Sequence, residues 1–194
     1  TYNENDGTLN SMTSGGDALG FAYNNLKQLS ERTSPKLDMT YTYRTWTDTQ
    51  NKQWKTNQVA SVQYLKHGTN TQLLPTLNYS YDAVGNITQI KEDNKTTNVA
   101  EYTYDNQNQV TQEKIPSVQT SDYTYDTYGN IRSKKTTYHN GTYEQYTYTY
   151  GNAAWKDQLT KIVYRNADGT SKTGTFTYDA VGNPLTYNNG KKNW

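Results

Sequence analysis

In the stretch VAEYTYD, residues 99 to 105, Ala100, Tyr102 and Tyr104 fall on one face and Val99, Glu101 and Thr103 on the other. A period of two is that of a β-strand with one covered side. Such strands end in a turn-like run and resume on an apolar residue. The pattern returns at Tyr2, Tyr23, Tyr43, Tyr81, Tyr104, Tyr125, Tyr150 and Tyr178, with successive separations of 21, 20, 38, 23, 21, 25 and 28 residues. A period near 20 with occasional expansion describes a repeat whose loops vary in length. No window sustains the i, i+3, i+4 apolar spacing of a capped helix; residues 20 to 31 are the one weak candidate.

The turns carry their own signature. Three copies read YSYDAVGNI (79 to 87), YTYDTYGNI (123 to 131) and FTYDAVGNP (176 to 184), and a fourth keeps Tyr104-Asp105. Gly85, Gly129 and Gly182 stand three residues after Asp82, Asp126 and Asp179, and Asn108 takes that place after Asp105. Asparagine is the side-chain-bearing residue that best tolerates a left-handed backbone. An aspartate able to accept bonds from N–H groups just downstream, followed by a residue with positive φ, predicts a type I hairpin turn closed by a G1 bulge. A second kind of turn is signalled by Asn140-Gly141 and Asp168-Gly169. The expected fold is therefore all-β: an antiparallel meander with aspartate turns along one edge and variable turns along the other. Two units, 41 to 64 and 148 to 164, lose the aspartate and gain Trp54-Lys55 and Trp155-Lys156, as hairpins with enlarged tips would. The unit at Tyr23 places Lys27 where the glycine belongs.

Composition refines this picture. Leu, Ile, Val and Phe are scarce and the mean hydropathy is −1.12, a balance that favours disorder in a highly charged chain with few aromatics. Here the net charge is only +1, and 20 tyrosines with abundant threonine supply strand formers. A tyrosine buries its ring while its hydroxyl finds a partner or water, so the expectation is a folded sheet with a thin core. The small net charge argues against a strong electrostatic hold on nucleic acid or anionic membrane. There is no run of about 18 apolar residues to insert in a bilayer, and a signal peptide would lie outside residues 1–194. The absence of cysteine excludes disulfides and thiolate metal sites. With no internal linker, residues 1–194 read as a single repeat array.

Several YDxxGN motifs in phase, from Tyr2 to about Tyr187, resemble the Rhs or YD-repeat proteins. That family includes bacterial polymorphic-toxin shells, wall-associated proteins, insecticidal toxin complex components and teneurins. WKDQLTKI followed by FTYDAVGNPLTY is similar to the last repeats of the wall-associated members. The resemblance implies a β-sheet strip that spirals into a shell around a C-terminal toxin or effector, in a large secreted or cell-surface bacterial protein. The family's aspartate-bearing DPxG segment has no counterpart here, so these residues are expected to be an excised piece whose partner is the remainder of its own parent chain. An adhesion module that binds carbohydrate or cell wall through surface aromatics is the alternative.

Candidate chemistry is sparse. Consecutive turn aspartates should stand about two strand spacings apart, on the order of 10 Å, too far to share an ion or a proton. Asp82, Gly85, Asp105, Asn108, Asp126, Gly129, Asp179 and Gly182 are accordingly assigned to building turns. His67 and His139 read as exposed turn residues, since a metal site needs clustered ligands. No catalytic residue, cofactor or metal is expected. Tyrosines at alternate positions are assigned to packing the sheet. Trp46, Trp54 and Trp155 in the enlarged hairpins are the candidates for contact with a ligand such as a glycan, beside the reading in which a loop tryptophan folds back onto the sheet. Arg132, Lys134 and Lys135 in IRSKKTTY read as a charged, edge-protecting strand rather than a nucleic-acid groove. Unpaired edge strands could support self-association.

Overall fold

The computed structural model describes residues 1–188, which fold as the alternation predicts, into antiparallel β-strands. The chain divides into two compact units, Thr1–Val99 and a second that opens at Ala100. In the first, β1 (Ser11–Ser14), β2 (Asp17–Tyr23), β3 (Leu29–Thr33), β4 (Leu37–Thr47), β5 (Gln53–Lys66), β6 (Gln72–Tyr81) and β7 (Ile87–Glu92) each pair with the next. The second continues with β8 (Ala100–Tyr104), β9 (Val110–Ile115), β10 (Gln119–Tyr125), β11 (Ile131–Tyr138), β12 (Tyr143–Thr149), β13 (Lys161–Arg165), β14 (Ser171–Tyr178) and β15 (Pro184–Asn188), again each beside its successor. Residues 20 to 31 form the end of β2, a turn and most of β3, and no helix occurs among the described residues.

Along one edge of each unit the hairpins slip register by one residue just before each turn, at Ala22/Tyr23 and Ser80/Tyr81 in the first and at Thr103/Tyr104, Thr124/Tyr125 and Thr177/Tyr178 in the second. The slip is the bulge. In each turn the first residue donates to the carbonyl four positions on and accepts from the N–H three positions on, as in Asp126 N–H to Asn130 O (2.9 Å) and Gly129 N–H to Asp126 O (3.1 Å). The residue three positions on has positive φ: 87° at Gly129, 62° at Asn108 and 60° at Lys27. The opposite edge repeats the same backbone scheme at Tyr138 and Asn166, with Gly141 and Gly169 at positive φ. What differs there is the side-chain acceptor. Asn140 and Asp168, two positions further along, accept from the N–H groups of Thr142 and Thr170. The two kinds of turn are thus one turn with its acceptor displaced.

Among the described residues Val62 and Ala100 are the buried apolar ones. The tyrosine side of the sheet carries the rest of the packing. Val62 lies opposite Tyr41 on one neighbour and Leu77 on the other, and Tyr79 faces Ile90. In the second unit Tyr146 stacks on Tyr164 at 4.5 Å and Phe176 on Tyr187 at 5.0 Å between ring centres. Such pairs contribute about 0.5–1.5 kcal/mol each beyond their buried area. On the other side, Thr42 bonds Ser61 and Thr124 bonds Ser133, each at 2.7 Å, so hydroxyl pairs take the place of apolar contacts.

Candidate functional site

The aspartate-turn edge is where the repeat places its polar side chains, and each carboxylate is committed locally. Asp82 Oδ1 accepts from the N–H groups of Val84, Gly85 and Asn86 at 2.8–3.0 Å, while its Oδ2 accepts from the Asn86 amide at 2.9 Å. Asp126 and Asp179 repeat this with Tyr128 and Asn130, and with Val181 and Asn183. Asp105 accepts from the N–H groups of Gln107 and Gln109. Burial opposes ionisation of Asp82 and Asp126, but these donors outweigh it and hold both carboxyls below the ordinary range. At Asp179 the Asn183 amide is the leading influence, in the same direction.

The two units that lose the aspartate after the motif tyrosine cap their turns with another acceptor further along, an aspartate in one and an asparagine in the other. Asp48 caps the tip of the β4–β5 hairpin, accepting from Gln50 and Lys52 N–H at 2.9 Å, with Asn51 at a φ of 61°. Asn152 accepts from Ala154 and Trp155 N–H, and its amide donates to Gln158 Oε1 at 2.6 Å. Asn24 does the same at the Lys27 turn, accepting from Leu26 and Gln28 N–H.

Tyrosine hydroxyls form a second set of contacts along this edge. Tyr43 donates to Leu29 O (2.8 Å), Tyr81 to Val59 O (2.7 Å), Tyr125 to Val110 O (2.8 Å), Tyr150 to Ile131 O (3.1 Å) and Tyr178 to Leu159 O (2.8 Å). Leu29, Val59, Val110 and Ile131 are the residues paired with Tyr23, Tyr43, Tyr104 and Tyr125 across the preceding aspartate-edge hairpin. Each hydroxyl therefore reaches back one repeat. It does so where the ladder fails: β9–β10 pairing stops at Gln112–Asp122, β5–β6 at Ser61–Asn78 and β3–β4 at Glu31–Thr40. These are the open mouths of hairpins closed at the opposite edge, and the phenol bridges them. Burial raises the phenol pKa of Tyr43, Tyr81, Tyr125 and Tyr150 above the ordinary 10.0, so each proton stays in place to donate.

The turns also touch one another. A side chain at Gly85 would start 2.9 Å from the Gln58 amide, one at Gly129 3.2 Å from that of Gln109, and one at Gly182 would run into the Trp155 ring. Gln58, Gln109 and Trp155 each come from the preceding unit. Trp155, still 42% exposed, thus lies over the backbone of the last aspartate turn rather than standing free. Trp46 and Trp54 pair across the β4–β5 hairpin and are 59% and 45% exposed.

Both histidines lie in turns, but His67 has a partner the sequence did not signal. Its Nδ1 is 2.8 Å from the buried carboxylate of Asp38, which also accepts from Gly68 and Ser34 N–H. Burial opposes the Asp38 charge, and these three donors overcome it to hold the carboxyl below its ordinary range. His139 is an exposed turn residue. On the tyrosine face, an open groove of about 300 Å³ is lined by Tyr146, Ile162, Tyr164, Lys172 and Tyr187 around Gly174. Burial and then the Glu144 carboxylate push the Tyr164 phenol up to about 12.

A scan against protein-family models finds no match, and a search of curated proteins finds none either. Solved structures do match. A crystal structure of TcdB2-TccC3-Cdc42 superposes with a TM-score of 0.55 at 17% identity, over 94% of this chain and 12% of that one. The chain shares the fold of a stretch of that protein. It spans about an eighth of the other's length. TcdB2-TccC3-TEV aligns over 93% of this chain and 13% of that one, at 16% identity and a TM-score of 0.48. A Photorhabdus luminescens Tc holotoxin pore carrying a TccC3 mutation aligns over 94% and 13%, at 16% identity and 0.42. The likeness that carries weight is to a stretch of TcdB2-TccC3, at the level of fold.

Two outcomes follow for this edge. Gly182→Ala and Gly141→Ala both place a side chain at positive φ, but only the first meets a ring, since nothing lies within 4 Å at Gly141. Strain at φ > 0 costs about 1–2 kcal/mol and overpacking a further 1–3 kcal/mol. Urea unfolding should show Gly182→Ala as the more damaging, with part of the difference recovered when Trp155→Ala is added; equal losses would show that the ring does not constrain the turn. The second concerns acid. A carboxyl whose folded pKa is depressed contributes fully above its unfolded value, about 3.9, and loses that contribution as pH falls through the lower folded value. The urea midpoint should hold down to about pH 5 and fall below about pH 4, and Asp126→Asn, which keeps an acceptor but not the charge, should flatten that fall. A midpoint that rises in acid would contradict the assignment.

Proposed function

We propose that this chain is a non-catalytic stretch of wall in a YD-repeat protein, secreted or displayed at a bacterial surface, whose sheet encloses or presents a toxin or effector carried elsewhere in the parent polypeptide. The observation that carries this reading is the recurrence of one joint, the tyrosine hydroxyl reaching back to the carbonyl of the previous repeat, made among the described residues by Tyr43, Tyr81, Tyr125, Tyr150 and Tyr178. A joint that refers each unit only to its neighbour builds an extended array rather than a closed site. Residues 1–194 act as a single array in this account, with both compact units built on the same turn and the same joint. The fold likeness to about an eighth of a much longer chain supports a segment that works as part of a larger wall. Turn aspartates spend their carboxylates on their own backbone, which suits a role in shape rather than in proton transfer or metal binding.

The reading is tested on the parent polypeptide by limited proteolysis. The passenger should survive a protease dose that degrades the same domain expressed alone, and should lose protection when the wall is opened by deleting two central repeats. Digestion of the passenger at the same rate with and without the wall would overturn the proposal.

A further inference from the structure

Three features of the second unit meet at one pair of rings. Tyr146 on β12 and Tyr164 on β13 stand directly opposite in the ladder, and their rings stack at 4.5 Å between centres, 25° from parallel. Tyr148, the next ring along β12, lies 6.3 Å from Tyr146 on the same strand. The second feature is a carboxylate. Glu144 accepts from the Tyr138 hydroxyl at 3.0 Å and bonds the Tyr164 phenol as well. The third is access: the open groove of about 300 Å³ around Gly174 has both rings in its wall, so neither is sealed by packing. Packing across a sheet accounts for the stack, but it needs neither the shared carboxylate nor the groove.

Sulfur side chains are the usual first sinks for peroxide. This chain has no cysteine, and its two methionines, Met12 and Met39, lie in the first unit. Oxidants that reach the second unit therefore meet phenols and indoles. Removing an electron from a phenol makes its proton strongly acidic, so the easiest phenol to oxidise is one whose proton already has a base to go to. Tyr164 has that base in Glu144. Burial and the carboxylate push its pKa up to about 12, which keeps the proton on oxygen until the electron leaves.

We propose that Tyr146 and Tyr164 are a coupling site for dityrosine, a carbon–carbon staple between β12 and β13 formed when a haem peroxidase and hydrogen peroxide supply the oxidation, with Glu144 as the proton acceptor at Tyr164. Each phenol gives up one electron and one proton, and the peroxide that takes them is reduced to two waters. The Tyr164 proton leaves through Glu144, that of Tyr146 to solvent. The two phenoxyl radicals, already face to face across the ladder, join through ring carbons ortho to oxygen. The hydrogens on those carbons then move to the oxygens and restore both phenols. Stacking supplies the proximity that coupling between free phenols lacks. The new bond closes the loop from 147 to 163, which carries the enlarged hairpin tip and Trp155, as a disulfide would in a chain that had cysteines.

The test treats the 194-residue chain with a haem peroxidase and hydrogen peroxide, follows dityrosine fluorescence and maps tryptic peptides by mass spectrometry. Cleavage after Lys135, Lys156, Lys161 and Arg165 puts Tyr146 in peptide 136–156 and Tyr164 in peptide 162–165. The expected product is these two peptides joined and lighter than their sum by two hydrogens, from a chain that still runs as a monomer on a denaturing gel. Tyr146→Phe and Tyr164→Phe, which keep their rings and should melt as the parent does by circular dichroism, should each abolish it, while Tyr148→Phe should leave it. Glu144→Gln, which keeps an acceptor but not a base, should slow its formation at least about tenfold, well within what a positioned proton acceptor supplies. Coupling spread evenly over the tyrosines, the same yield in urea that unfolds the chain, a joined product that survives Tyr164→Phe, or an unchanged rate in Glu144→Gln would each overturn the proposal.

Discussion

The open mouth of a hairpin is the weak place in a meander, and here a phenol closes it. In β9–β10 and β5–β6 the backbone ladder stops short of the aspartate edge, and the hydroxyls of Tyr125 and Tyr81 bond carbonyls that the ladder leaves to them. The contact does three things at once. It satisfies an acceptor, buries a ring against the neighbouring strand and fixes how one repeat sits on the last. Because only Val62 and Ala100 among the described residues are buried and apolar, this chain depends on half-buried rings with bonded hydroxyls where other domains depend on aliphatic cores. A phenol raised in pKa by burial stays a donor throughout the ordinary pH range.

The turns serve that contact. The G1 bulge advances the register by one residue immediately before each motif tyrosine, which places Tyr81 opposite Ile87 and Tyr125 opposite Ile131. The aspartate makes the bulge cheap by taking N–H groups that the tight turn would otherwise leave to solvent. Turn-to-turn contact then links neighbours. Gln58 over Gly85, Gln109 over Gly129 and Trp155 over Gly182 give the glycines a second reason to lack a side chain besides their φ.

Much of the fold was legible because its devices are local. The period of two, the Asp and Gly three residues apart and the Asn-Gly pairs all lie within a few residues of what they determine, and the all-β antiparallel meander follows from them. The tyrosine joint was not legible, since its acceptor is a backbone carbonyl 14 to 22 residues upstream and carbonyls leave no mark in sequence. Asp48 and Asn152 were missed because inserted residues part them from the tyrosine that announces the turn. Asp38 and His67 lie 29 residues apart and meet only when β4 and β5 pair. Trp54-Lys55 and Trp155-Lys156 look alike in one dimension; a partner across the hairpin and a glycine one turn away separate them in three.

The tyrosine hydroxyl is the joint between repeats, and removing that one atom tests its role most directly. Hydrogen exchange combined with urea unfolding of Tyr125→Phe, with Tyr123→Phe on the same strand face as the control, isolates the bond from the ring. The account predicts a loss of about 1 kcal/mol for Tyr125→Phe, faster exchange at the amides flanking the β9–β10 mouth, and little change for Tyr123→Phe. Unchanged stability and exchange in Tyr125→Phe, or equal effects in both variants, would show that the rings alone hold the repeats in register.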